Sequence, residues 1–134
     1  MGPDPVDAAR GATPVVMLVD DEPGILSALT RTLRREGYEI LIAASARAAL
    51  LEMESRVVDL VVSDQKMPGM KGVALLAQIA RRWPGTVRIL LSGWSSEIPS
   101  TQIEAAQVYA VLAKPWDEEL LKKTLRSALS AGAS

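Results

Sequence analysis

Short apolar runs of the sequence end, at four places, in residues that could take part in chemistry. They are Asp20 and Asp21, Asp64, Ser92 and Lys114. Three carboxylates that are brought together repel one another, so they either retain a proton or hold a cation. Oxygen ligands favour a hard divalent ion, and a site with few protein ligands and several waters favours Mg2+. A phosphoryl group could be bound there as well, because its transfer requires mainly positioning and neutralisation of charge.

Within such a site Lys114 would add a second positive charge, Ser92 would add a hydroxyl donor, and a central carboxylate would be the acceptor. Each residue also has a simpler explanation when it is taken alone. Asp20 and Asp21 could cap a helix, Asp64 could open a turn, and a single lysine is usually solvated. Their joint placement at the ends of apolar runs favours the common site over these separate explanations.

The elements that would position these residues are indicated by apolar runs that alternate with amphipathic stretches. A continuous apolar run such as 15–19 is typical of a strand that is buried on both faces of a sheet. Pro23 suits the first turn of a helix, and Ser45 and Asp117 suit helix N-caps. The predicted strands are 15–19, 38–43, 57–63, 87–91 and 108–112. Five helices are predicted: one that starts at Pro23, one over 46–54, one after Gly72, a short one between 99 and 107, and one after Asp117.

Five strands that alternate with five helices predict an α/β fold, with a parallel sheet that helices cover on both faces. The carboxyl ends of parallel strands share one edge of the sheet. In open sheets of this kind, ligands bind outside that edge, at the point where the strand order reverses. We therefore expect the candidate residues, which are distant in sequence, to converge on one site.

The composition narrows the classes of function. The chain has 134 residues, enough for one domain of ordinary size. Its 15 basic residues nearly balance 16 acidic ones, so there is no electrostatic footprint for direct binding of nucleic acid. The chain has no Cys, which excludes disulfides, and no His, the commonest general base. Because no apolar run approaches the ~20 residues that cross a bilayer, we expect a cytoplasmic protein without membrane contact.

Four segments of the sequence together resemble the receiver domain of two-component response regulators. They are Val19-Asp20-Asp21-Glu22, the segment from Ser63 to Gly72, Leu91-Ser92-Gly93, and Lys114-Pro115-Trp116-Asp117. Within the second segment, the run Asp-x-x-Met-Pro-Gly-Met-x-Gly is highly specific. The resemblance implies a flavodoxin-like, doubly wound sheet with strand order 2-1-3-4-5. The resemblance covers about residues 14–130, the predicted receiver domain, and leaves 131–134 as a C-terminal tail. Residues 1–13 are rich in Gly, Ala, Pro and Asp without an apolar period, which predicts a flexible tail.

The resemblance also implies a role for each residue of the predicted metal site. Asp64 would accept the phosphoryl group as an aspartyl phosphate and would contribute to metal binding. Asp21 is similar to the direct Mg2+ ligand of the family, and Asp20 to the carboxylate that acts mainly through water. Lys66 would lend its backbone carbonyl to the metal.

The same resemblance implies a mechanism of signalling. Ser92 and Lys114 would bind the phosphoryl oxygens, and the family's Lys-Pro bond, here Lys114-Pro115, is usually cis. The donor would be a histidine kinase, a phosphotransfer protein or a small acyl phosphate. Drawing Ser92 inward would shift the link from the fourth strand to the fourth helix. The surface of the fourth helix, fifth strand and fifth helix would then gain or lose a protein effector, or form a homodimer. The domain would catalyse only its own phosphorylation and dephosphorylation, so we do not expect a metabolic enzyme.

Three features depart from the family pattern. Val111 stands where the family often has an aromatic switch residue, and Tyr109, on the same face of an ideal strand, could be a substitute or a core residue. The segment 95–107 contains Pro99 and predicts a short or displaced fourth helix. Trp94 could shield the aspartyl phosphate from water, or could be a surface residue or a partner contact.

Other classes of function are left open as alternatives. One is a docking module that does not depend on phosphorylation, although the complete set of acidic residues and lysine argues against it. Another is the receiver portion of a larger kinase or phosphodiesterase regulator. A phosphatase with an aspartyl nucleophile would need two aspartates one residue apart, a spacing that Asp20-Asp21-Glu22 lacks. A flavin site is disfavoured, because Asp20 and Asp21 would repel the phosphate.

Overall fold

The structure is a computed structural model, and it describes residues 13–93 and 97–133. Strands and helices alternate along this part of the chain, as the apolar pattern predicts. The strands are β1 (Val15–Val19), β2 (Glu39–Ala43), β3 (Leu60–Asp64), β4 (Val87–Gly93) and β5 (Ala110–Lys114). The helices are α1 (Pro23–Leu33), α2 (Ala46–Ser55), α3 (Gly72–Arg82), α4 (Ser100–Ala106) and α5 (Glu118–Ala133).

The five strands form one parallel sheet in the order β2-β1-β3-β4-β5. Strand β1 pairs with both β2 and β3, so the strand order reverses on either side of it. Helices α1 and α5 pack on one face of the sheet, and α2, α3 and α4 pack on the other. The predicted fold class and strand order are therefore confirmed. The switch point lies between β1 and β3, where a sheet of this kind opens a crevice at its carboxyl edge.

Two apolar layers hold the helices on the sheet, because alternate side chains of a strand point to opposite faces. In β1, Met17 and Val19 belong to the layer with α2 and α3, whereas Val16 and Leu18 belong to the layer with α1 and α5. All four side chains are at most 1% exposed. Polar groups of the strands are thus confined to their ends. Among the described residues, no helix is long and apolar enough to cross a membrane.

Two predicted helix caps are present. At the start of α2, the Ser45 hydroxyl accepts a hydrogen bond from the Ala48 N–H at 3.0 Å. At the start of α5, the Asp117 carboxylate accepts from the Leu120 N–H at 2.9 Å. Each bond satisfies a donor that helix geometry leaves without an intrahelical partner. Helix α3 differs, because its N-cap residue Lys71 makes no such side-chain bond.

Several elements begin or end away from their predicted positions. Strand β3 starts at Leu60 rather than at residue 57, and Val57 is 80% exposed in the connection from α2. Apolar character alone does not separate a strand from its connection. Strand β5 likewise begins two residues later than predicted, at Ala110. Helix α5 continues to Ala133, so most of the predicted tail at 131–134 is helical. The domain boundary itself stays a prediction.

Among the residues that the structure describes, only one face of the edge strand β5 is covered. Leu112 packs in the layer with α5, whereas Tyr109 and Val111 point the other way and are 48% and 47% exposed. On that side the short helix α4 packs against α3. Tyr109 is therefore not a core residue, and the expected short fourth helix is present.

Arg88 is a buried cation near the start of the apolar strand β4, with only 8% of its surface exposed. Its guanidinium binds backbone carbonyls instead of a carboxylate. Nε donates to the Ala106 carbonyl at 2.9 Å, Nη2 to Gln107 at 3.0 Å and Nη1 to Thr86 at 2.6 Å. The first two carbonyls end α4, where a helix leaves its acceptors unpaired and favours a positive charge. Arg88 therefore fastens the end of α4 to the start of β4.

Arg88→Met should lower the free energy of unfolding by about 2–3 kcal/mol, because it leaves several buried carbonyls without donors. Arg56→Met is the matched control, since Arg56 forms an exposed pair with Glu39 and should cost less than about 1 kcal/mol. Urea unfolding measures both. Equal losses in the two variants would show that the carbonyl contacts of Arg88 contribute no more than an exposed ion pair.

Candidate functional site

Three strand ends bring an acidic cluster and a lysine together at the switch point of the sheet. Asp20 directly follows β1, Asp64 ends β3, and Lys114 ends β5. Because β4 lies between β3 and β5, the Lys114 side chain must reach across the end of β4. Its Nζ lies 2.9 Å from Asp20 Oδ2 and 3.0 Å from Asp64 Oδ1. The predicted convergence of these residues is therefore present in the structure.

The acidic cluster consists of Asp20, Asp21 and Asp64. One carboxylate oxygen from each lies within 4.8 Å of the others. Asp20 is fully buried and is held in place from both sides, since its Oδ1 accepts from the Glu22 N–H at 2.9 Å while Oδ2 contacts Lys114. Asp64 is 5% exposed, whereas Asp21 is exposed and stands at the mouth of the site.

Charge and donor chemistry at this cluster fit a divalent cation. Three carboxylates and one ammonium carry a net charge of about −2 when all are ionised. A divalent cation would neutralise that charge, and a set of oxygen donors is what Mg2+ prefers. One exposed ligand also leaves room for the waters that Mg2+ usually retains. The donor set thus agrees with the predicted metal, and the assignment of individual ligands stays a prediction.

Burial and charge act against each other on the two central groups. Burial raises the pKa of Asp64 above its usual range, the hydrogen bond from Lys114 opposes that rise, and the charge of Asp20 adds to it. Burial alone would lower the pKa of Lys114, but its contacts with Asp20 and Asp64 raise it overall. Lys114 is therefore charged at neutral pH, and it favours the ionised form of Asp64.

The remaining predicted residues surround this centre. Ser92 lies near the end of β4, next to Ala113 of β5, and its partly exposed hydroxyl donates to the Gly93 carbonyl at 3.3 Å. No hydrogen bond joins this hydroxyl to Asp64 in the present arrangement. Lys66 is exposed in the loop that follows β3. The Lys114-Pro115 peptide bond is cis, as expected. The hypothesis about Trp94 concerns a residue outside the described part of the chain.

Gln65 is a feature of the site that the sequence analysis missed. It directly follows Asp64 and is only 5% exposed. Its side-chain carbonyl accepts a hydrogen bond from the Val73 N–H at 2.8 Å. The only signal in the sequence was an amide residue directly after the strand end at Asp64, and Gln is mostly an exposed residue.

The family model described as response regulator receiver domain matches residues 16–126, which is most of the chain. Similar curated proteins agree with it. The hydrogenase transcriptional regulatory protein HoxA of Cupriavidus necator is 38% identical over 117 residues, which cover 87% of this chain and 24% of HoxA. The transcriptional regulatory protein GlrR of Escherichia coli is 37% identical over 119 residues, which cover 88% of this chain and 27% of GlrR. The chain thus spans about a quarter of the length of these relatives.

Solved structures of similar chains share the fold over nearly their whole length. The signal receiver domain of an HD domain-containing protein from Pseudomonas fluorescens superposes with a TM-score of 0.83 at 36% identity, covering 91% of this chain and 98% of that one. A CheY-like response regulator receiver domain protein from Methanospirillum hungatei gives a TM-score of 0.85 at 30% identity, with the same coverage of both chains.

Asp64→Asn should stabilise the metal-free protein at pH 7, because it removes a charge that burial disfavours and keeps the shape of the side chain. The raised pKa of Asp64 means that the folded state binds this proton more tightly than the unfolded state does. The gain should therefore shrink as the pH falls and vanish below the unfolded value of about 3.9.

Urea unfolding in the presence of a chelator, repeated across that pH range, measures this difference. Asp21→Asn is the control, because it removes an exposed carboxylate of the same cluster and should change stability less. A variant Asp64→Asn that is less stable than the wild type at pH 7 would show that the contact with Lys114 outweighs the burial of the charge.

Proposed function

The chain belongs to the response regulator receiver family, and from this premise we propose that it is a signalling switch in which Asp64 accepts a phosphoryl group. The donor is a histidine kinase, a phosphotransfer protein or a small acyl phosphate. The observation that supports the proposal most directly is the contact of one lysine nitrogen with both Asp64 and Asp20. A module that only docks other proteins would gain nothing from buried carboxylates held by one cation.

Asp64 is the proposed nucleophile. One of its carboxylate oxygens attacks phosphorus and forms a new P–O bond, while the bond from phosphorus to the imidazole nitrogen or acyl oxygen of the donor breaks. This step needs the ionised carboxylate, which burial disfavours and Lys114 stabilises. As charge builds up on the phosphoryl oxygens, the same ammonium lies within reach to bind them.

Asp20, Asp21, Asp64 and the backbone carbonyl of Lys66 are the proposed ligands of Mg2+. When bound, the ion supplies positive charge that neutralises the phosphoryl oxygens. Asp20 is fixed by the Glu22 N–H and is buried, so it would help to orient the set. By resemblance to the family, Asp20 would act on the ion mainly through water, and the exposed Asp21 would be the direct ligand. The protein contributes these groups to its own phosphorylation and dephosphorylation, and in this proposal it has no separate substrate.

The output of the switch begins at Ser92. Its hydroxyl donates to the Gly93 carbonyl in the present arrangement. A phosphoryl group on Asp64 would be a stronger acceptor with a charge of about −2. Turning Ser92 toward it would release that carbonyl and move the link between β4 and α4. The half-exposed Tyr109 and Val111 lie on the side of the sheet on which α4 packs.

The proposed partners follow from this arrangement. The surface formed by α4, β5 and α5 would bind a downstream protein effector or a second copy of the chain, according to the state of Asp64. The relatives HoxA and GlrR are transcriptional regulatory proteins about four times as long as the matched region. We therefore propose only the receiver event for this chain, in the cytoplasm, where a histidine kinase would deliver the phosphoryl group.

Incubation with Mg2+ and a small acyl phosphate should add one phosphoryl mass to the wild type and none to Asp64→Asn. Intact-mass spectrometry measures the product. Asp117→Asn is the matched control, because it changes an aspartate that caps α5 and should leave the modification intact. Chelation of divalent cations should suppress the gain in the wild type. A folded protein that is not modified with Mg2+, or is modified equally in Asp64→Asn, would contradict the proposed acceptor.

Ser92→Ala should slow phosphorylation by the acyl phosphate by about 10²-fold, the usual effect of losing one donor to a developing anion. Ser92→Thr keeps the hydroxyl and should retain most of the rate. The time course of the same mass gain measures both, with Ser27→Ala on the exposed side of α1 as a control. A rate in Ser92→Ala equal to that of the control would remove Ser92 from the mechanism.

A further inference from the structure

The start of α3 depends on a residue that lies outside the helix. Helix α3 has no side-chain cap from its own N-cap residue, Lys71. Its first N–H, that of Gly72, donates to the backbone carbonyl of Gln65 at 2.9 Å. Its second, that of Val73, donates to the side-chain carbonyl of Gln65 at 2.8 Å. Gln65 therefore supplies the acceptors for the first two N–H groups of α3.

Gln65 is also tied to the sheet. Its own N–H donates to the Leu91 carbonyl of β4 at 3.0 Å. The loop 66–71 thus begins directly after Gln65, and the two residues that follow the loop, Gly72 and Val73, donate hydrogen bonds back to Gln65. The end of β3, Leu91 of β4 and the start of α3 therefore meet at one residue, directly beside Asp64.

The closure at this point is tight. A Cβ atom added to Gly72 would collide with the backbone carbonyl of Asp64. Only glycine permits this close approach of the helix to the strand end. Val73 is 3% exposed, so its N–H would be buried without a partner if Gln65 could not accept from it. The position of the loop therefore depends on the acceptor in the side chain of Gln65.

We propose that Gln65 is a positioning residue for the metal site. By closing the loop onto α3, its side chain sets where the backbone carbonyl of Lys66 and the carboxylate of Asp64 stand relative to Asp20 and Asp21. The inference rests on the proposed function, because it concerns the affinity of the same acidic cluster for Mg2+. When a residue that orients the ligands without contacting the metal is removed, the affinity for the metal typically falls by about 10–100-fold.

The test compares two lost helix caps in the full chain. Gln65→Met keeps the length of the side chain but cannot accept from Val73. Ser45→Ala removes the cap of α2, which lies outside the acidic cluster. Urea unfolding of each variant over a series of Mg2+ concentrations yields a dissociation constant, because the ion stabilises only the folded state that binds it. Both variants should be less stable than the wild type without Mg2+.

Only Gln65→Met should also bind Mg2+ more weakly, by about 10-fold, whereas Ser45→Ala should bind it like the wild type. Gln65→Glu keeps the acceptor and should bind Mg2+ at least as tightly as the wild type. If Gln65→Met does not fold, Gln65→Asn, which is polar but too short to reach Val73 from the same position, takes its place. If Gln65→Met, or Gln65→Asn in its place, has the same dissociation constant for Mg2+ as Ser45→Ala, the positioning role is overturned. A wild type whose stability does not respond to Mg2+ would instead overturn the proposed metal site, and the inference with it.

Discussion

The position of the Lys114 ammonium between Asp20 and Asp64 is the interaction on which the arrangement of this molecule depends. Two carboxylates that are almost removed from water could not stand so close together without a cation, because their like charges would repel each other. Lys114 reduces this repulsion and favours the ionised form of Asp64. It leaves the cluster with excess negative charge, which is the physical basis of the proposal that the site binds a further cation and then a phosphoryl group.

The fold explains how one lysine can reach both carboxylates. Apolar residues of β1, β3 and β4 are buried on both faces of the sheet, so charged side chains of these strands find water only at the ends. The parallel direction of all five strands collects those ends on one edge. Strand β5 lies two places from β3, a distance that suits the long side chain of Lys114 and would not suit a short one.

The residues of the site that could be predicted from the sequence were those at the ends of strands. Asp20, Asp64 and Lys114 follow apolar runs, and that position alone brings them together once the strands are parallel. Gln65 and Arg88 could not be assigned in this way, since their roles depend on backbone groups of distant segments. A hydrogen bond from Val73 to Gln65, or from Arg88 to the end of α4, leaves no periodic pattern in the sequence. The start of β3 was misplaced for the related reason that Val57 is apolar yet exposed.

Strand β4 connects the two ends of the proposed switch. Arg88, near its start, holds the C-terminal carbonyls of α4, while Ser92, near its end, stands beside the acidic cluster. The C-terminal end of α4 is therefore fixed to the sheet, and the N-terminal end follows the segment that leaves β4 after Ser92. A displacement that begins at Ser92 would reach α4 through its N-terminal end, with Arg88 as the fixed point. The helix would then turn relative to the open face of β5, where Tyr109 and Val111 are exposed to a partner.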